Sequence, residues 1–406
     1  MSPKEHAGHC SAPNHPMRIL HIVGAMYPGG VENFIMNLYR HIDRERFQFD
    51  FIVHQRREKD YVPEIEAMGG RVYELPRLTR HPVSNLRQIT ALTGQNGYPV
   101  VIRHTANALI APQLMAAKRG GALTVCHSHS SDDPQVSLHK LGRLLLPKAA
   151  DFRCACSEQA GKWMYGEKYR SVSAEVSSGG GTHQGGAAAL VQEPGTFQVI
   201  RNAVDLDVFS YNPEKAAAIR EEFHIRGRHV YGHVGNYIEV KNHPYLLKVY
   251  REIVNREPDA VCLCVGEGEL RGEIETQVQE LGLERNVILT GLRSDVPAVL
   301  SALDVLLFPS HFEGLPLTLI EAQTAGLPML ISDVITRDVA VTEGLVEWRP
   351  ITEDPALWAE RATAIANENR NRTCQRERIA AAGYDLKELV QWYEDFFERC
   401  RQDREA

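Results

Sequence analysis

The stretch VLLFPSHFEGLPLTLIEAQTAGLPMLIS, residues 305–332, decides the fold. An apolar run at 305–308 is followed by a helical stretch, and a second, mainly apolar run follows at 328–332. Such short apolar runs are typical of strands buried on both faces of a parallel sheet. A strand, a helix and a second strand in this order form a βαβ unit, so the stretch predicts an α/β fold.

The same alternation continues along almost the whole chain. Strands are predicted at 19–23, 49–53, 71–75, 100–104, 123–126, 152–156 and 197–201, and then at 230–234, 261–265, 287–290, 305–308 and 328–332. A chain of 406 residues is long enough for two domains of about 200 residues each. The two series therefore predict two doubly wound, Rossmann-like sheets, with the default active site in the cleft between them.

These signals divide the chain into four parts. We predict a disordered leader at 1–16, a first domain at 17–204 and a second domain at 205–383. An amphipathic helix is predicted at 384–406, because apolar side chains recur there at helical spacing: Leu389, Trp392, Tyr393, Phe396 and Phe397. Residues 171–196 are rich in Ser, Gly and Ala, a composition that buries too little apolar surface to offset the entropy of ordering. We expect a flexible loop there.

Composition limits the partners and the location. The formal net charge of −7 gives no basic excess, so nucleic acid is not an expected partner. No run approaches the roughly 18 apolar residues of a membrane span, and residues 1–16 lack the apolar core of a signal peptide. We therefore expect a cytoplasmic protein. Cys154 with Cys156, and Cys262 with Cys264, have a spacing that favours buried strand positions, with a metal site as the alternative.

The strongest local signal follows the strand at 305–308. Pro316 is suited to the first position of a helix, which would leave the backbone amides of Gly314, Leu315 and Leu317 free at the helix N-terminus. Such an end binds anions. Glycine at 314 would also let a ligand approach the backbone closely.

Two carboxylates accompany this predicted anion site. Glu313 lies in the loop and Glu321 in the second helical turn. A diphosphate could sit at the helix end while the carboxylates accept hydrogen bonds from sugar or ribose hydroxyls. The alternative is that Glu321 is a solvated helix residue and Glu313 an ordinary partner of the helix dipole.

Weaker signals follow other strands. Gly29 and Gly30 permit a tight turn after the first strand, and Gly266 occupies a similar place in the second domain. Glycine turns are common, so neither motif is specific alone. Lys241, after the first strand of the second domain, could neutralise a departing diphosphate or could be a solvated loop lysine.

Histidines end two neighbouring strands of the first domain. His104 ends one strand, and His127 and His129 follow in the sequence CHSHS at the end of the next. Strand-end histidines facing a cleft could orient a substrate hydroxyl or stabilise developing charge. A structural role for them is the alternative.

Together these motifs resemble those of the retaining family 4 glycosyltransferases, also called glycosyl transferases group 1. The Glu-x7-Glu segment at Glu313 and Glu321 carries the specific part, with Gly29-Gly30-Val31-Glu32 and Asn202-Ala203-Val204-Asp205 as lesser markers. The similarity runs from about residue 17 to 335, interrupted by the loop at 171–196. Its relatives are bacterial enzymes of exopolysaccharide, capsule and cell-envelope assembly.

The resemblance implies a role for each matching residue in a GT-B fold of two Rossmann-like domains. Glu321 would hold the ribose and Glu313 the donor sugar, while Lys241 would contact the diphosphate. Gly29, Gly30, Gly266, Gly314, Leu315, Pro316 and Leu317 would surround the sugar and phosphates, and Gly291 and Arg293 would lie near the base. His127, rather than its rival His129, would stand beside the donor sugar and would form the catalytic set with Glu313 and Lys241. His104 and His129 would contact the acceptor or sugar.

One position departs from the family pattern. Asn236 follows Gly235 where the family has an arginine, so one expected phosphate-binding cation is absent. Losing a charge-assisted hydrogen bond costs about 1.5 to 3 kcal/mol. Lys241 remains as a cation after the same strand.

The resemblance also implies the chemistry. A hexosyl group would pass from a nucleotide sugar, expected to be a UDP-sugar, to a saccharide or lipid-linked acceptor, without cofactor, metal or enzymic nucleophile. The leaving diphosphate would help accept the acceptor's proton. Residues 139–148 mix cations with leucines and would either rest on an anionic membrane or form an ordinary half-buried helix. A nucleotide-sugar 2-epimerase and a non-catalytic sugar-nucleotide-binding protein are the alternatives.

Overall fold

A computed structural model of the protein describes residues 15–27, 29–57, 60–130, 136–173, 192–368 and 372–405. The chain forms two compact units, one from Met1–Arg201 with Lys387–Ala406 and the other from Asn202–Leu386. Except for its last two residues, the predicted leader lies outside the described residues. None of the described helices is both long and apolar enough to cross a membrane.

The first unit is built on an eight-stranded sheet in the order β3-β2-β1-β4-β5-β6-β8-β7. The strands are β1 Met17–Ile22, β2 Phe47–Val53, β3 Val72–Glu74, β4 Val100–Thr105, β5 Leu123–Ser128, β6 Phe152–Ala155, β7 Arg170–Ser173 and β8 Thr196–Val199. The helices are α1 Gly30–His41, α2 Val62–Ala67, α3 Pro82–Asn96, α4 Ala111–Arg119, α5 Val136–Arg143, α6 Leu146–Ala149 and α7 Glu158–Tyr165, with a 3-10 turn at Ala108–Ile110.

The second unit has a six-stranded sheet in the order β11-β10-β9-β12-β13-β14. The strands are β9 Val230–Val234, β10 Val261–Val265, β11 Val287–Gly291, β12 Val305–Phe308, β13 Met329–Ser332 and β14 Val346–Arg349. The helices are α8 Leu206–Phe209, α9 Pro213–Glu222, α10 His243–Arg256, α11 Arg271–Glu280, α12 Val296–Ala302, α13 Leu317–Thr324, α14 Pro355–Glu368 and α15 Arg376–Ala381, with 3-10 turns at Glu239–Lys241 and Arg337–Val339. Helix α16, Leu386–Glu405, follows.

Both sheets confirm the predicted α/β class. Every described strand pair is parallel. The first six strands of each unit follow the 3-2-1-4-5-6 order of a doubly wound Rossmann sheet. Central strands such as β2, β9 and β10 are buried along their whole length, because helices cover both faces of a parallel sheet.

The structure differs from the sequence predictions at two strands. The predicted loop at 171–196 begins and ends in paired strands, since β7 and β8 lie side by side, and 174–191 fall outside the described residues. β14 was not predicted, because the predictions rested on apolar runs and this four-residue strand contains the charged residues Glu347 and Arg349. Edge strands are shorter and more polar than central ones.

The last helix completes the first unit. Phe397 in α16 packs against the rings of Phe47 and Phe49 in β2, with ring centres 5.6 and 6.0 Å apart. Arg46 donates to Glu394 and Glu398 on the outer side of the same helix. The apolar stripe that predicted an amphipathic helix therefore contributes to the core of the first unit.

The two units divide before the predicted boundary between 204 and 205. Val204 donates its backbone N–H to the Tyr384 carbonyl at 2.8 Å and accepts from the Leu386 N–H at 3.1 Å. Its side chain lies in a core cluster of the second unit. These contacts assign the residues after Arg201 to the second unit.

Candidate active site

In each unit, one central strand marks the place where a ligand is expected. β1 lies between β2 and β4, and β9 lies between β10 and β12. The connections from such a strand to its two neighbours run over opposite faces of the sheet, so a crevice opens at the carboxyl ends of the strands. Doubly wound proteins bind ligands at this switch point.

In the second unit, the loops after β9 and β12 meet at this point. Lys241, at the end of the 3-10 turn after β9, donates to Glu313 Oε1 in the loop after β12 at 2.5 Å. Their side chains are 16 and 15% exposed. The His311 N–H also donates to the Val240 carbonyl at 2.8 Å, which ties the two loops together. The structure thus brings together two residues that the sequence predicted as catalytic.

The position of Lys241 is fixed by its surroundings. Its ammonium lies 4.7 Å from the ring centre of Phe308, the last residue of β12. Its aliphatic stem passes over Gly235, where a Cβ atom would stand 3.2 Å from Lys241 Cε. Asn236, which replaces the expected arginine, is exposed after β9. The ammonium is therefore held at the loop that leads into α13.

Helix α13 begins at Leu317, and Pro316 precedes it instead of occupying the first helical position as predicted. The ψ of Pro316 is 113°, which is extended backbone. The amides of Gly314, Leu315 and Leu317 donate no hydrogen bond to any described residue, as the sequence predicted. Free amides and the helix dipole together favour an anion at this end.

Glu321 is an acid without a partner. No described residue hydrogen-bonds or ion-pairs with its half-buried carboxylate. Burial raises the pKa of Glu321 to about 7, because desolvation disfavours the charged form. A carboxylate in this state gains from hydrogen-bond donors that a ligand supplies. The environment is unlike that of a solvated helix residue.

The glycines of the second unit fall into two classes. A Cβ atom at Gly266 would stand 2.0 Å from the Gly235 carbonyl oxygen, and one at Gly268 would stand 2.3 Å from the Tyr237 carbonyl oxygen. Both are therefore required by packing between the loops after β9 and β10, and Gly291 has a positive φ of 75°. At Gly314, by contrast, a Cβ atom would meet nothing within 4 Å.

Arg293, predicted near the base, is fully engaged within the second unit. Its guanidinium forms bidentate pairs with Glu222, at 2.7 and 2.9 Å, and with Asp295, at 2.7 Å for both bonds. These hydrogen bonds raise its pKa, so the charge is stabilised by two carboxylates. The placement gives Arg293 a structural role, and its contact with a base stays a prediction.

In the first unit, the loop after β1 leads into α1. Cβ atoms at Gly24 and Gly30 would meet nothing within 4 Å, so packing does not require glycine at either position. At Gly29 a Cβ atom would stand 2.6 Å from Glu32 Oε2. Burial raises the pKa of Glu32, and the nearby Arg57 opposes that shift. Open space at Gly30 is what close approach of a ligand to the backbone requires.

Two cavities open at the switch point of the first unit. The larger, of about 470 Å³, includes Gly29, Glu32 and Arg103 among its lining residues. The smaller, of about 310 Å³, is lined by Glu32, Arg103, His104 and His129 among others. Glu32 and Arg103 belong to both, so the two cavities share one wall.

Three histidines form a hydrogen-bonded chain that ends at the smaller cavity. His21 Nδ1 lies 3.0 Å from His104 Nε2, and His104 Nδ1 lies 2.9 Å from His129 Nε2. Desolvation lowers the pKa of His21 and His129 to about 3 and that of His104 well below its usual value. All three are therefore neutral near pH 7, and they can exchange hydrogen bonds with a hydroxyl but supply no positive charge.

His127, the predicted catalytic histidine, lies inside the first unit. Its side chain is buried, with the Phe34 ring 5.3 Å away and the Tyr393 hydroxyl 3.4 Å from Nδ1. Burial lowers its pKa well below the usual value. It lines neither cavity, whereas the rival His129 is half-buried and lines the smaller one. The geometry favours His129 for contact with a substrate.

The same cluster is the one place among the described residues where three potential metal ligands converge. The nitrogen atoms of His104, His127 and His129 lie within 4.8 Å of one another. No cysteine takes part. Cys154, Cys262 and Cys264 are buried in β6 and β10, as the strand interpretation predicted, and burial raises their pKa values. Cys156 departs from that prediction, because β6 ends at Ala155 and Cys156 is half-buried.

Comparison with known proteins gives the family. Residues 28–166 match the model for Glycosyltransferase Family 4, and residues 215–384 match that for Glycosyl transferases group 1. The chain is 32% identical over 387 residues to EpsF, assigned as a glycosyltransferase in Bacillus subtilis (strain 168), covering 92% of this chain and 94% of EpsF. The chain belongs to glycosyltransferase family 4. It is therefore a transferase, as the resemblance predicted.

Two further likenesses support the fold and the activity of this glycosyltransferase. It is 34% identical over 149 residues to an Escherichia coli UDP-Gal:alpha-D-GlcNAc-diphosphoundecaprenol alpha-1,3-galactosyltransferase, covering 36% of this chain and 38% of the relative. It matches the structure of Anabaena HepE in complex with UDP with a TM-score of 0.72 and 17% identity, covering 94% of this chain and all of HepE. The predicted GT-B class is confirmed, and neither the epimerase nor the non-catalytic alternative is favoured.

Sequence reasoning missed one group at the site. Arg103 interrupts the apolar run of β4, directly before His104. A charged residue in a strand buried on both faces was the available signal, because a buried charge requires a reason. Glu32 was noted only as part of a family motif, although it lines both cavities.

We predict that Glu321 makes stability depend on pH. Its pKa is about 7 in the folded protein and near 4.5 in the unfolded chain, so ionisation opposes folding. The wild-type protein therefore keeps its full free energy of unfolding below pH 4.5, where the carboxyl is protonated in both states. It loses part of that free energy as the pH rises through 7. Relative to wild type, Glu321→Gln should gain about 3 kcal/mol in free energy of unfolding between pH 4 and pH 8, measured by urea denaturation.

The exposed Glu280 of α11 supplies the control. Glu280→Gln makes the same chemical change at an exposed position, so it measures the effect of the substitution without burial. A pH-independent difference for Glu321→Gln would contradict the raised pKa of Glu321.

We predict that Gly314 and Gly268 respond in opposite ways to an added methyl group. Gly314→Ala should keep the melting temperature but weaken binding of UDP about tenfold or more, equivalent to 1.4 kcal/mol, since only a ligand meets the new Cβ. Gly268→Ala should lose about 1 to 3 kcal/mol of stability, because its Cβ meets a backbone carbonyl. Thermal unfolding and calorimetric titration of UDP measure both effects. Unchanged UDP affinity in Gly314→Ala contradicts a ligand at this loop.

Proposed function

We propose that this family 4 glycosyltransferase transfers a hexosyl group from a UDP-sugar to a saccharide acceptor on a lipid carrier, with retention of anomeric configuration. The observation that carries the proposal is the contact between Lys241 and Glu313 at the switch point of the second unit. It places a cation beside a helix end whose amides are free. Such an arrangement fits a diphosphate whose charge grows as the glycosidic bond breaks.

The donor would be held by the second unit. Lys241 and the amides of Gly314, Leu315 and Leu317 would bind the diphosphate, and Glu321 would accept from the ribose hydroxyls. Glu313, released from Lys241 by the phosphates, would accept from the donor sugar. Uridine as the nucleoside is supported by HepE, solved with UDP and with UDP-glucose, and by the Escherichia coli relative named for UDP-Gal.

The chemical step would need no enzymic nucleophile. The acceptor hydroxyl would attack the anomeric carbon on the face that the diphosphate leaves, and the departing phosphate oxygen would take the hydroxyl proton. Lys241 and the α13 dipole would stabilise the developing negative charge without a divalent metal. Neutral His129 would hydrogen-bond a sugar hydroxyl at the smaller cavity, with its orientation set by His104.

The proposed acceptor and the proposed location are supported by similar proteins and not by the geometry of the donor site. The relatives in Escherichia coli and Campylobacter jejuni are named for acceptors on diphosphoundecaprenol. Similarity to EpsF supports a role in exopolysaccharide or capsule assembly, as the sequence resemblance predicts. We infer that the enzyme works in the cytoplasm at the inner face of the plasma membrane.

Helix α5 would provide the membrane contact. One side of the helix is fixed to the first unit, since the Ala108 N–H donates to His139 Nδ1 at 3.0 Å and a Cβ atom at Gly142 would stand 2.4 Å from the Ala108 carbonyl oxygen. Leu141 in the helix and Leu144 directly after it face solvent, with exposures of 62 and 73%. Exposed leucines among Lys140, Arg143 and Lys148 are suited to an anionic lipid surface.

The donor site is tested by transfer of radiolabelled sugar from UDP-glucose and UDP-galactose to lipid-linked saccharide in bacterial membranes, with EDTA present. We expect transfer in EDTA and a loss of about 100-fold or more in kcat for Lys241→Gln, because charge on the leaving group is no longer neutralised. Lys248→Gln, at an exposed position of α10, is the matched control and should transfer at the parent rate.

Four outcomes would contradict parts of this proposal. Equal activity of folded Lys241→Gln and wild type would contradict the diphosphate site, and loss of transfer in EDTA would contradict the metal-free mechanism. A product whose anomeric proton signal shows the opposite configuration to the donor would contradict retention. Epimerised UDP-sugar formed without transfer would favour the epimerase.

The membrane contact is tested by flotation with vesicles that contain anionic lipid. We expect the wild-type protein to float and Leu141→Asp/Leu144→Asp to remain unbound, because a charge in place of an exposed leucine opposes insertion at the lipid interface. Leu292→Asp alters a comparably exposed leucine, 69% accessible, in the second unit and should float like wild type. Equal flotation of all three proteins would contradict the role of α5.

A further inference from the structure

The larger of the two switch-point cavities carries an excess of positive charge. Three arginines line it, Arg57, Arg77 and Arg103, and Glu32 is the one acidic residue among the described residues of its wall. Burial raises the pKa of Glu32, and this single carboxyl group faces three guanidinium groups. His54, also in the wall, has a pKa lowered by burial. The cavity therefore presents guanidinium groups that the described protein does not neutralise.

Arg103 is the half-buried member of this set, whereas Arg57 and Arg77 are exposed. Its Nε donates to Gln113 Oε1 at 3.0 Å and its Nη1 donates to the Ile22 carbonyl at 3.0 Å. It forms no ion pair with a described carboxylate, and its Nη2 donates to no described acceptor. Burial lowers the pKa of Arg103 to about 10, so it stays charged at neutral pH but lacks a counterion.

A purely structural role explains Arg372 better than it explains Arg103. Arg372 in the second unit also lacks a carboxylate partner, but its Nε, Nη1 and Nη2 all donate to backbone carbonyls, among them those of Ala325 and Leu303. No donor nitrogen of Arg372 is left over. Arg103 keeps Nη2 free and stands in the wall of both cavities.

A buried network holds Arg103 in one orientation. Gln113, which accepts from Arg103, donates through Nε2 to Asn85 Oδ1 at 3.1 Å, and Asn85 Nδ2 donates to the Pro76 carbonyl at 2.7 Å. Asn85 and Gln113 are both buried. Satisfied buried networks of this kind rigidify the groups that they support. The guanidinium is thus positioned before any ligand arrives.

We propose that this cavity binds an anionic group of the acceptor, a phosphate or a sugar carboxylate, through Arg103, Arg57 and Arg77. The inference rests on the proposed function and adds the chemical class of the acceptor. Guanidinium groups bind both kinds of oxyanion in bidentate fashion. The anion is distinct from the donor diphosphate, which the second unit would hold at Lys241. The lipid-linked diphosphate or an acidic sugar unit of the acceptor could supply it.

The test is calorimetric titration of inorganic pyrophosphate and of glucuronate into protein saturated with UDP, so that the donor site is filled. We expect at least one of the two anions to bind, and binding to weaken about tenfold or more in Arg57→Gln/Arg77→Gln, equivalent to 1.4 kcal/mol. Both side chains are exposed, so the double variant should fold. Arg87→Gln, an exposed arginine of α3 outside the cavity, should keep the parent affinity.

The outcomes separate this inference from the donor site. Tighter binding of pyrophosphate supports a carrier phosphate, and tighter binding of glucuronate supports an acidic sugar. Absence of binding by both anions, or equal affinity in the double variant and wild type, overturns the inference while UDP binding still supports the donor site. If UDP itself does not bind, the proposed function fails, and titration of the same anions without UDP into Lys241→Gln and the arginine variant still assigns any anion site.

Discussion

In each unit, one central strand pairs with both the second and the fourth strand of the sheet. The functional arrangement depends on this constraint. It makes β1 and β9 the places where connections diverge to opposite faces, and it leaves backbone groups and loop residues at one edge uncovered. In the second unit this edge carries Lys241, Glu313 and the beginning of α13. In the first it carries Glu32 and Arg103. The chemistry of a glycosyltransferase is thus placed by strand order, and residue types then select the ligand.

The glycines near the two switch points differ in whether packing within the chain requires them. Gly266 and Gly268 lie against backbone carbonyls, so the loops after β9 and β10 could not pack with larger residues. Gly30 and Gly314 face open space, and no described residue requires glycine at either position. Gly30 begins α1 and Gly314 lies shortly before α13, and a ligand could approach the backbone at such positions. The sequence motifs alone did not separate these two classes.

The fold was largely predictable, because buried parallel strands leave apolar runs that the alternation with helices makes visible. The positions of Lys241 and Glu313 were predictable for a related reason, because each residue lies in the loop after such a run. The choice between His127 and His129 could not be predicted, because the two residues are two positions apart and share one side of the chain. The structure separates them, since β5 ends at Ser128 and His129, beyond its end, lines a cavity. Arg103 was missed because its importance comes from the absence of a carboxylate among its described neighbours, which no local pattern encodes.

The position of α16 has a consequence for how the protein is made. Its aromatic residues complete a hydrophobic core whose other half, in β2, is synthesised hundreds of residues earlier, and the whole second unit lies between them in the chain. During translation Phe47 and Phe49 therefore lack their contact with Phe397 until α16 has been synthesised, although Phe49 can already pack on His21 and Tyr39. The second unit has no such dependence. Apolar surface that stays open in this way during synthesis favours aggregation.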